Sequence, residues 1–328
     1  MKPLDKPHLL VGALSHPGEK RSHNEDRYSV TAYQRESDGM PVLLAVVADG
    51  IGGHQAGEVA AELTVEHLVE AVSRSDGRSP LVTLREAIID AAQAVHTAAE
   101  QDSEREGMGS TVAAALVLGD RLYITYVGDS RIYLQRGDRI LQISNDHTWV
   151  QEALDHKIIT REEAEDHPQA HVLRRHIGGK APPEPDQRLR VSRHPENPGS
   201  ADDQGFRLQD GDRLLLCSDG LTDLVKDEEI AAELRQGPPE KSADRLVSLA
   251  RERGGHDNIT VVALEVPSGF RDRLPKKGCL RRSLLFISLA VLVGLLLALA
   301  AVYWLGWRPV DFPPGLQRGT DALVHLLS

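Results

Sequence analysis

The chain has 328 residues, enough for one large domain or two ordinary ones, and a formal net charge of −11. That charge is uneven: residues 1–268 hold 30 Lys+Arg against 46 Asp+Glu, while residues 269–328 hold 8 against 3. An acidic main domain argues against nucleic acid as partner, and two cysteines, Cys217 and Cys279, give neither a disulfide framework nor a zinc ribbon and fit a reducing compartment.

The opening MKPLDKPHLL lacks the apolar core of a signal peptide. Leu9–Ser15 reads as a first strand. A turn carrying Arg21 follows, in the frame R-x-x-N-E-D, before a second strand at Tyr28–Tyr33. Glu25 and Asp26 are adjacent, and adjacent strand residues face opposite ways, so one acid faces a core or cleft and the other faces outward. Val42–Ala48 is a continuous apolar run rich in β-branched residues, as in a strand buried on both faces. It ends at Asp49-Gly50. A carboxylate at the mouth of a buried strand is costly unless compensated, and a cation is the usual compensation.

Helices are predicted over Glu58–Arg74 and about Leu81–Gln101, each with an apolar side that covers a sheet. Thr111–Leu118 reads as a strand, and LYITYVGDSRIYLQRGDRILQIS as three more short strands with tight turns, an antiparallel meander. VGDSR again puts a carboxylate, Asp129, at the end of an apolar strand. Residues 145–180 change character: polar, helical in patches, with histidines at 147, 156, 167, 171 and 176. The spacing of His167 and His171 permits a helical metal pair. Pro168 between them and the lack of an H-E-x-x-H frame argue instead for a surface subdomain over the site. Residues 182–204 form an irregular, proline-rich connection. Asp212–Cys217 is another buried strand, running into Ser218-Asp219-Gly220. Helices follow at about Lys226–Arg235 and Ser242–Arg253, and Asp257-Asn258 start a last strand, Ile259–Val266.

The tail divides into a basic linker (269–283), a run of 24 uncharged residues (284–307) and a short end (308–328). As a helix the run would span roughly 36 Å, enough to cross a hydrocarbon core of about 30 Å. Tyr303, Trp304 and Trp307 form an aromatic belt, and the basic residues before the run orient the large N-terminal domain to the cytoplasm. The expectation is a single-pass protein of the cytoplasmic membrane, with residues 308–328 outside.

Acids therefore stand at the strand ends Asp26 (with Glu25), Asp49, Asp129 and Asp219, and Asp257 begins a strand. Oxygen donors without Cys or His select hard cations such as Mg²⁺ or Mn²⁺. Carboxylates around two such ions suit hydrolytic attack on phosphorus by a metal-activated water. Arg21 is the nearest cation to orient a phosphate.

The order R-x-x-N-E-D, DGIGGH-x-x-G-E, GMGST, VGDSR, SNDHTWV, CSDGLTD and HDNIT resembles the metal-dependent protein phosphatases of type 2C in their bacterial form, from about Leu9 to Val266. The resemblance implies an α+β fold of two packed antiparallel sheets flanked by helix pairs, and hydrolysis of phosphoserine and phosphothreonine in proteins. It implies that Asp49 bridges two metals and that Gly50 offers its carbonyl to one. Asp26 would act on the cluster with Glu25 beside it, and Asp219 and Asp257, next to Asn258, would complete the first metal. Asp129 with Asp219 would hold a third, weaker ion. Arg21 would bind the substrate phosphate, and residues of about 145–180 would form a flap. A Ser/Thr kinase is the implied counterpart. Animal relatives place a His directly after the Asp-Gly, where this chain has Ile51; His54 is kept out of the catalytic set. The alternative is a non-catalytic, membrane-tethered phosphoprotein-binding pseudophosphatase, whose mark would be lost acid positions; every matched acid is present.

Cys217 is followed by SDGLTD, without the Arg six residues on that cysteine-based phosphatase chemistry needs. No P-loop frame occurs.

Overall fold

The computed structural model describes residues 1–52, 56–165, 167–191, 199–275, 293–301 and 303–304. The chain forms two compact units, Met1–Pro275 and Lys276–Ser328.

In the first unit the strands are β1 (Lys2–Pro3), β2 (Leu10–His16), β3 (Arg27–Gln34), β4 (Pro41–Ala48), β5 (Gly50–Ile51), β6 (Gly109–Ser110), β7 (Val112–Leu118), β8 (Arg121–Val127), β9 (Arg131–Arg136), β10 (Arg139–Gln142), β11 (Phe206–Arg207), β12 (Arg213–Cys217) and β13 (Ile259–Glu265). The helices are α1 (Ala56–Arg74), α2 (Pro80–Gln101), α3 (Trp149–Asp155), α4 (Arg161–Glu165), α5 (Asp219–Thr222), α6 (Asp227–Leu234), α7 (Pro239–Glu252) and α8 (Phe270–Arg273). Among the described residues, one antiparallel sheet runs β1-β3-β4-β7-β8-β11 and a second runs β10-β9-β12-β13-β2.

The apolar run of β4 sorts by parity, as the period-2 alternation of strand side chains requires. Val42, Leu44, Val46 and Ala48 pack against α1 and α2, and Leu43, Ala45 and Val47 pack between the two sheets. β12 repeats this on the other side: Leu214 and Leu216 face the sheet–sheet core, and Leu215 and Cys217 face the layer of α5, α6 and α7. After its first residue every side chain of such a strand is buried, which is why the sequence reads as a run rather than an alternation. Each large side chain so buried is worth roughly 1.5–3 kcal/mol. The result is the expected layer order, helices, sheet, sheet, helices.

Three features differ from the sequence reading. The meander is split: β8 lies in the first sheet and β9 in the second, so the turn at Gly128 crosses between sheets. Gly128 has φ +99°, and an added Cβ would lie 2.6 Å from Thr111, so the crossover needs glycine twice over. Glu25 and Asp26 precede β3 rather than lying on it. Asp219 begins a single helical turn, α5. The first unit also continues past 268, because Phe270 is buried in the sheet–sheet core and stacks on His8 at 5.6 Å.

The expected span at 284–307 falls mostly outside the described residues. Residues 293–301 and 303–304 are helical, and no helix among the described residues is long and apolar enough to cross a membrane. His54 and Cys279 also lie outside the described residues.

Candidate active site

The ends of β4, β8 and β12 and the start of β13 open on one edge of the sandwich. The acids predicted at strand ends are brought together there. Arg21, Glu25, Asp49, Gly50, Asp129, Asp219, Asp257 and Asn258 all line one cavity of about 600 Å³. Asp26 is buried at 2% exposure, within the electrostatic reach of Asp219 and Asp257.

Asp49 is fixed by its backbone. Its N–H donates to Thr111 Oγ1 at 3.0 Å, and its carbonyl accepts from the Thr111 N–H at 2.8 Å and from Ser110 Oγ at 3.1 Å. Thr111 Oγ1 also bonds Ser130 Oγ at 2.7 Å, so the GMGST and VGDSR stretches lock each other behind the carboxylate. Gly50 sits against α1: a Cβ there would lie 2.2 Å from the Gly57 carbonyl and 2.7 Å from that of Glu25. Asp26 Oδ2 accepts from Ser218 Oγ at 2.7 Å, which ties the first acid to the strand carrying Asp219. Asn258 gathers the rim: its Oδ1 accepts the Glu25 N–H at 2.7 Å, and its Nδ2 donates to the carbonyls of Pro17 and His23 at 3.0 and 2.9 Å. Arg21 donates to Asp257 Oδ2 at 2.7 Å, with the guanidinium side chain still 58% exposed.

The acids of the floor repel one another. Burial pushes the Asp26 carboxyl up to about 7, and the charges of Asp219 and Asp257 add to this. Asp219 is pushed up to about 6 by burial and by Asp223 and Asp257. Asp49 is held well above the usual carboxylate range by burial and by Asp26, Asp219 and Asp129; Asp129 is raised by burial, Asp219 and Asp146. Asp26 Oδ1 and Asp219 Oδ1 are buried with no hydrogen-bond partner. Buried polar atoms left unpaired are rare and call for a ligand. Hard, oxygen-only donors that repel one another fit divalent cations such as Mn²⁺ or Mg²⁺, so the residues present suit the metals that the motif order implies.

Several contributors are not evident from the sequence. Ser110, Thr111, Ser130 and Ser218 position the acids, and in the sequence they show only as the hydroxyls of GMGST, VGDSR and CSDG. His171 and Leu173 of the histidine-rich segment also line the cavity. His167 and His171 do not form a helical pair, because α4 ends at Glu165 and His167 stacks on Trp149 at 4.7 Å.

Residues 18–254 match the protein phosphatase 2C family. The chain belongs to that family. The serine/threonine protein phosphatase PstP of Mycobacterium tuberculosis is 39% identical over 258 residues, covering 79% of this chain and 45% of that protein. The chain thus aligns with about half the length of that relative. The serine/threonine phosphatase stp of Listeria monocytogenes is 34% identical over 256 residues, covering 76% of this chain and 92% of its own. Among solved structures, the catalytic domain of PstP in complex with two manganese ions superposes with a TM-score of 0.65 at 37% identity, covering 79% of this chain and 99% of that one.

Proposed function

We propose that this chain is a metal-dependent protein serine/threonine phosphatase, acting on phosphoserine and phosphothreonine in proteins and reversing Ser/Thr kinase signalling at a membrane. The observation that carries the reading is the set of mutually repelling acids, two of them with an orphaned buried oxygen, on the floor of a cavity of about 600 Å³. Asp49, the Gly50 carbonyl, Asp26, Asp219 and Asp257 would hold two ions, and Asp129 with Asp219 a third.

Such ions, when bound, supply a water of lowered pKa and neutralise charge on the phosphoryl oxygens. The chain's own groups do the rest. Ser110 and Thr111 clamp the Asp49 backbone, so the carboxylate keeps its aim without spending its own oxygens. Ser218 fixes one oxygen of Asp26 and leaves the other for a ligand. Arg21, exposed and tethered at one edge, presents its remaining donors to a phosphate entering from the rim, where planar two-pronged recognition suits guanidinium. The open cavity admits a phosphorylated side chain carried on a protein.

The test is phosphate release from a phosphothreonine peptide by the full chain. Release with Mn²⁺ that EDTA abolishes is expected; no release from a folded chain under any metal returns the question to the phosphoprotein-binding alternative.

The membrane location rests on the 24 uncharged residues at 284–307 and the arginines and lysines before them. A single span there would leave the phosphatase domain in the cytoplasm and concentrate it near membrane-bound kinases. The full chain is expected in the membrane fraction and a chain ending at Pro275 in the soluble one; identical fractionation would sink the anchor.

A further inference from the structure

The edge of the sandwich opposite the acids gathers arginines around one carboxylate. Asp120, in the turn between β7 and β8, meets three guanidiniums. Arg207 Nε lies 3.1 Å from its Oδ2, Arg271 Nε 3.5 Å from the same oxygen, and Arg121 Nε 3.8 Å from Oδ1. The three come from β11, α8 and β8, and the backbone steadies two of them: Arg121 Nη1 donates to the Gly205 carbonyl at 2.9 Å, and Arg271 Nη2 to that of Leu208 at 2.7 Å. Their side chains stay 45% to 57% exposed. Arg121 opens β8 and Asp129 follows its far end, and seven residues at about 3.3 Å each set the two roughly 20 Å apart.

Three positive charges around one negative charge leave an excess that internal pairing does not consume. Of the acids close by, Asp212 is buried and paired with Arg136 at 2.7 Å, and Asp210 accepts the Gly269 N–H. Arg273, Lys276 and Lys277 outnumber Asp210 and Asp272. A basic corner is unexpected on a domain whose acids far exceed its bases. It is also the corner from which the chain leaves the unit, since Arg271 stands four residues before Pro275. Residues 276–283 then lead to the uncharged run, and even fully extended they reach at most about 30 Å.

We propose that this corner docks on an anionic lipid surface, with Arg121, Arg207 and Arg271 toward the headgroup phosphates. Guanidinium suits phosphate oxygens, and an anionic leaflet attracts basic groups that come within a Debye length, about 8 Å at physiological salt. The inference rests on the membrane location proposed above, under which the short linker keeps this corner within reach of the bilayer. Docking here has a consequence for the site. The acid-lined cavity opens at the other end of β8, so it stands roughly 20 Å further from the lipid and faces the phosphorylated segments of other proteins.

The experiment is sedimentation of the unit Met1–Pro275 with vesicles of phosphatidylcholine or of phosphatidylglycerol. That unit contains its own cores, and the corresponding catalytic domain of PstP is solved as a separate domain, so it is tested without the tail. The native unit is expected to sediment with the phosphatidylglycerol vesicles and not with the neutral ones. The triple variant Arg121→Gln, Arg207→Gln, Arg271→Gln is expected to partition at least about tenfold more weakly, since each basic group near the surface is worth about fivefold. Asp120→Asn removes the one carboxylate from the cluster and is expected to partition about threefold more tightly, a gain that added salt abolishes. No preference for the anionic vesicles, or one that the triple variant keeps and Asp120→Asn does not raise, would overturn the proposal, even where the full chain still enters the membrane fraction through its tail. Retention of a phosphorylated peptide by the native unit and not by the triple variant, without a vesicle preference, would overturn it in favour of a protein partner.

Discussion

Asp26 and Asp186 are both nearly inaccessible, at 2% and 6% exposure, yet their surroundings push them in opposite directions. Asp186 opposes burial with partners: Arg188 donates to it from Nε at 3.0 Å and from its backbone N–H at 2.8 Å, and His147 Nε2 lies 3.4 Å away. His147 Nδ1 accepts the Gly128 N–H at 3.1 Å, which leaves the ring proton on Nε2, facing the carboxylate. Asp186 is accordingly held below the usual carboxylate range, against its burial. Asp146 and Asp212 are likewise met by Arg131 and Arg136, each at 2.7 Å. Asp26, Asp49, Asp129 and Asp219 have no arginine hydrogen-bonded to them among the described residues, and their carboxyls are raised. A buried aspartate with an arginine holds the fold; a buried aspartate without one waits for a cation.

The largest effect that sharpens this contrast is on activity. Asp219→Asn keeps the volume and removes a charge from the floor, and is expected to lower Mn²⁺-dependent phosphate release by at least about 10²-fold. Asp186→Asn, equally conservative, is expected to leave turnover within about threefold. Similar losses in both would break the distinction.

Stability should reverse the order. Asp186→Asn leaves Arg188 without its carboxylate and is expected to cost about 1–3 kcal/mol, read as a lower urea midpoint at unchanged slope. Asp26→Asn removes a charge repelled by Asp219 and Asp257, so the metal-free protein is expected to be no less stable than the native chain at neutral pH, although its metal binding is lost.

A smaller effect follows from pH. Asp26 and Asp219 titrate at about 7 and about 6 in the metal-free fold, above their unfolded values. Between the ordinary carboxylate range and these values the folded chain binds more protons than the unfolded one. Stability in EDTA should therefore fall as pH rises from about 5 to about 7.5, and Mn²⁺ should restore it at the upper end. Asp186 has the opposite sign: its contribution is full above its unfolded value and fades as pH falls toward its depressed folded value. A metal-free Tm that climbs steadily from pH 5 to 7.5 would contradict the raised values.

The strand ends were legible in the sequence because burial on both faces leaves an unbroken apolar run, and an acid that ends such a run stands out. Asp49, Asp129 and Asp219 follow directly. Periodicity alone leaves Glu25 and Asp26 alternatives, and the N-E-D resemblance favours Asp26; both precede β3, and it is Asp26 that is buried against Ser218. The serines and threonines that hold the acids leave no pattern, because hydroxyls are common in turns everywhere. The crossing at Gly128 reads as one more tight turn of a meander, since chain-local spacing does not tell which sheet the next strand joins. The meeting of His171 with Asp219 and Asp223 joins residues about fifty positions apart and follows from topology alone.

The central claim is that the unpaired acids of the floor are the cation site. It is tested most directly by counting Mn²⁺ bound to the full chain, from the loss of the free-ion EPR signal, for the native protein, Asp49→Asn and Asp186→Asn. The account predicts at least two tightly held ions in the native chain and in Asp186→Asn, as in the manganese-bound relative, and fewer in Asp49→Asn. The same count in all three, or none in the native chain, would contradict it.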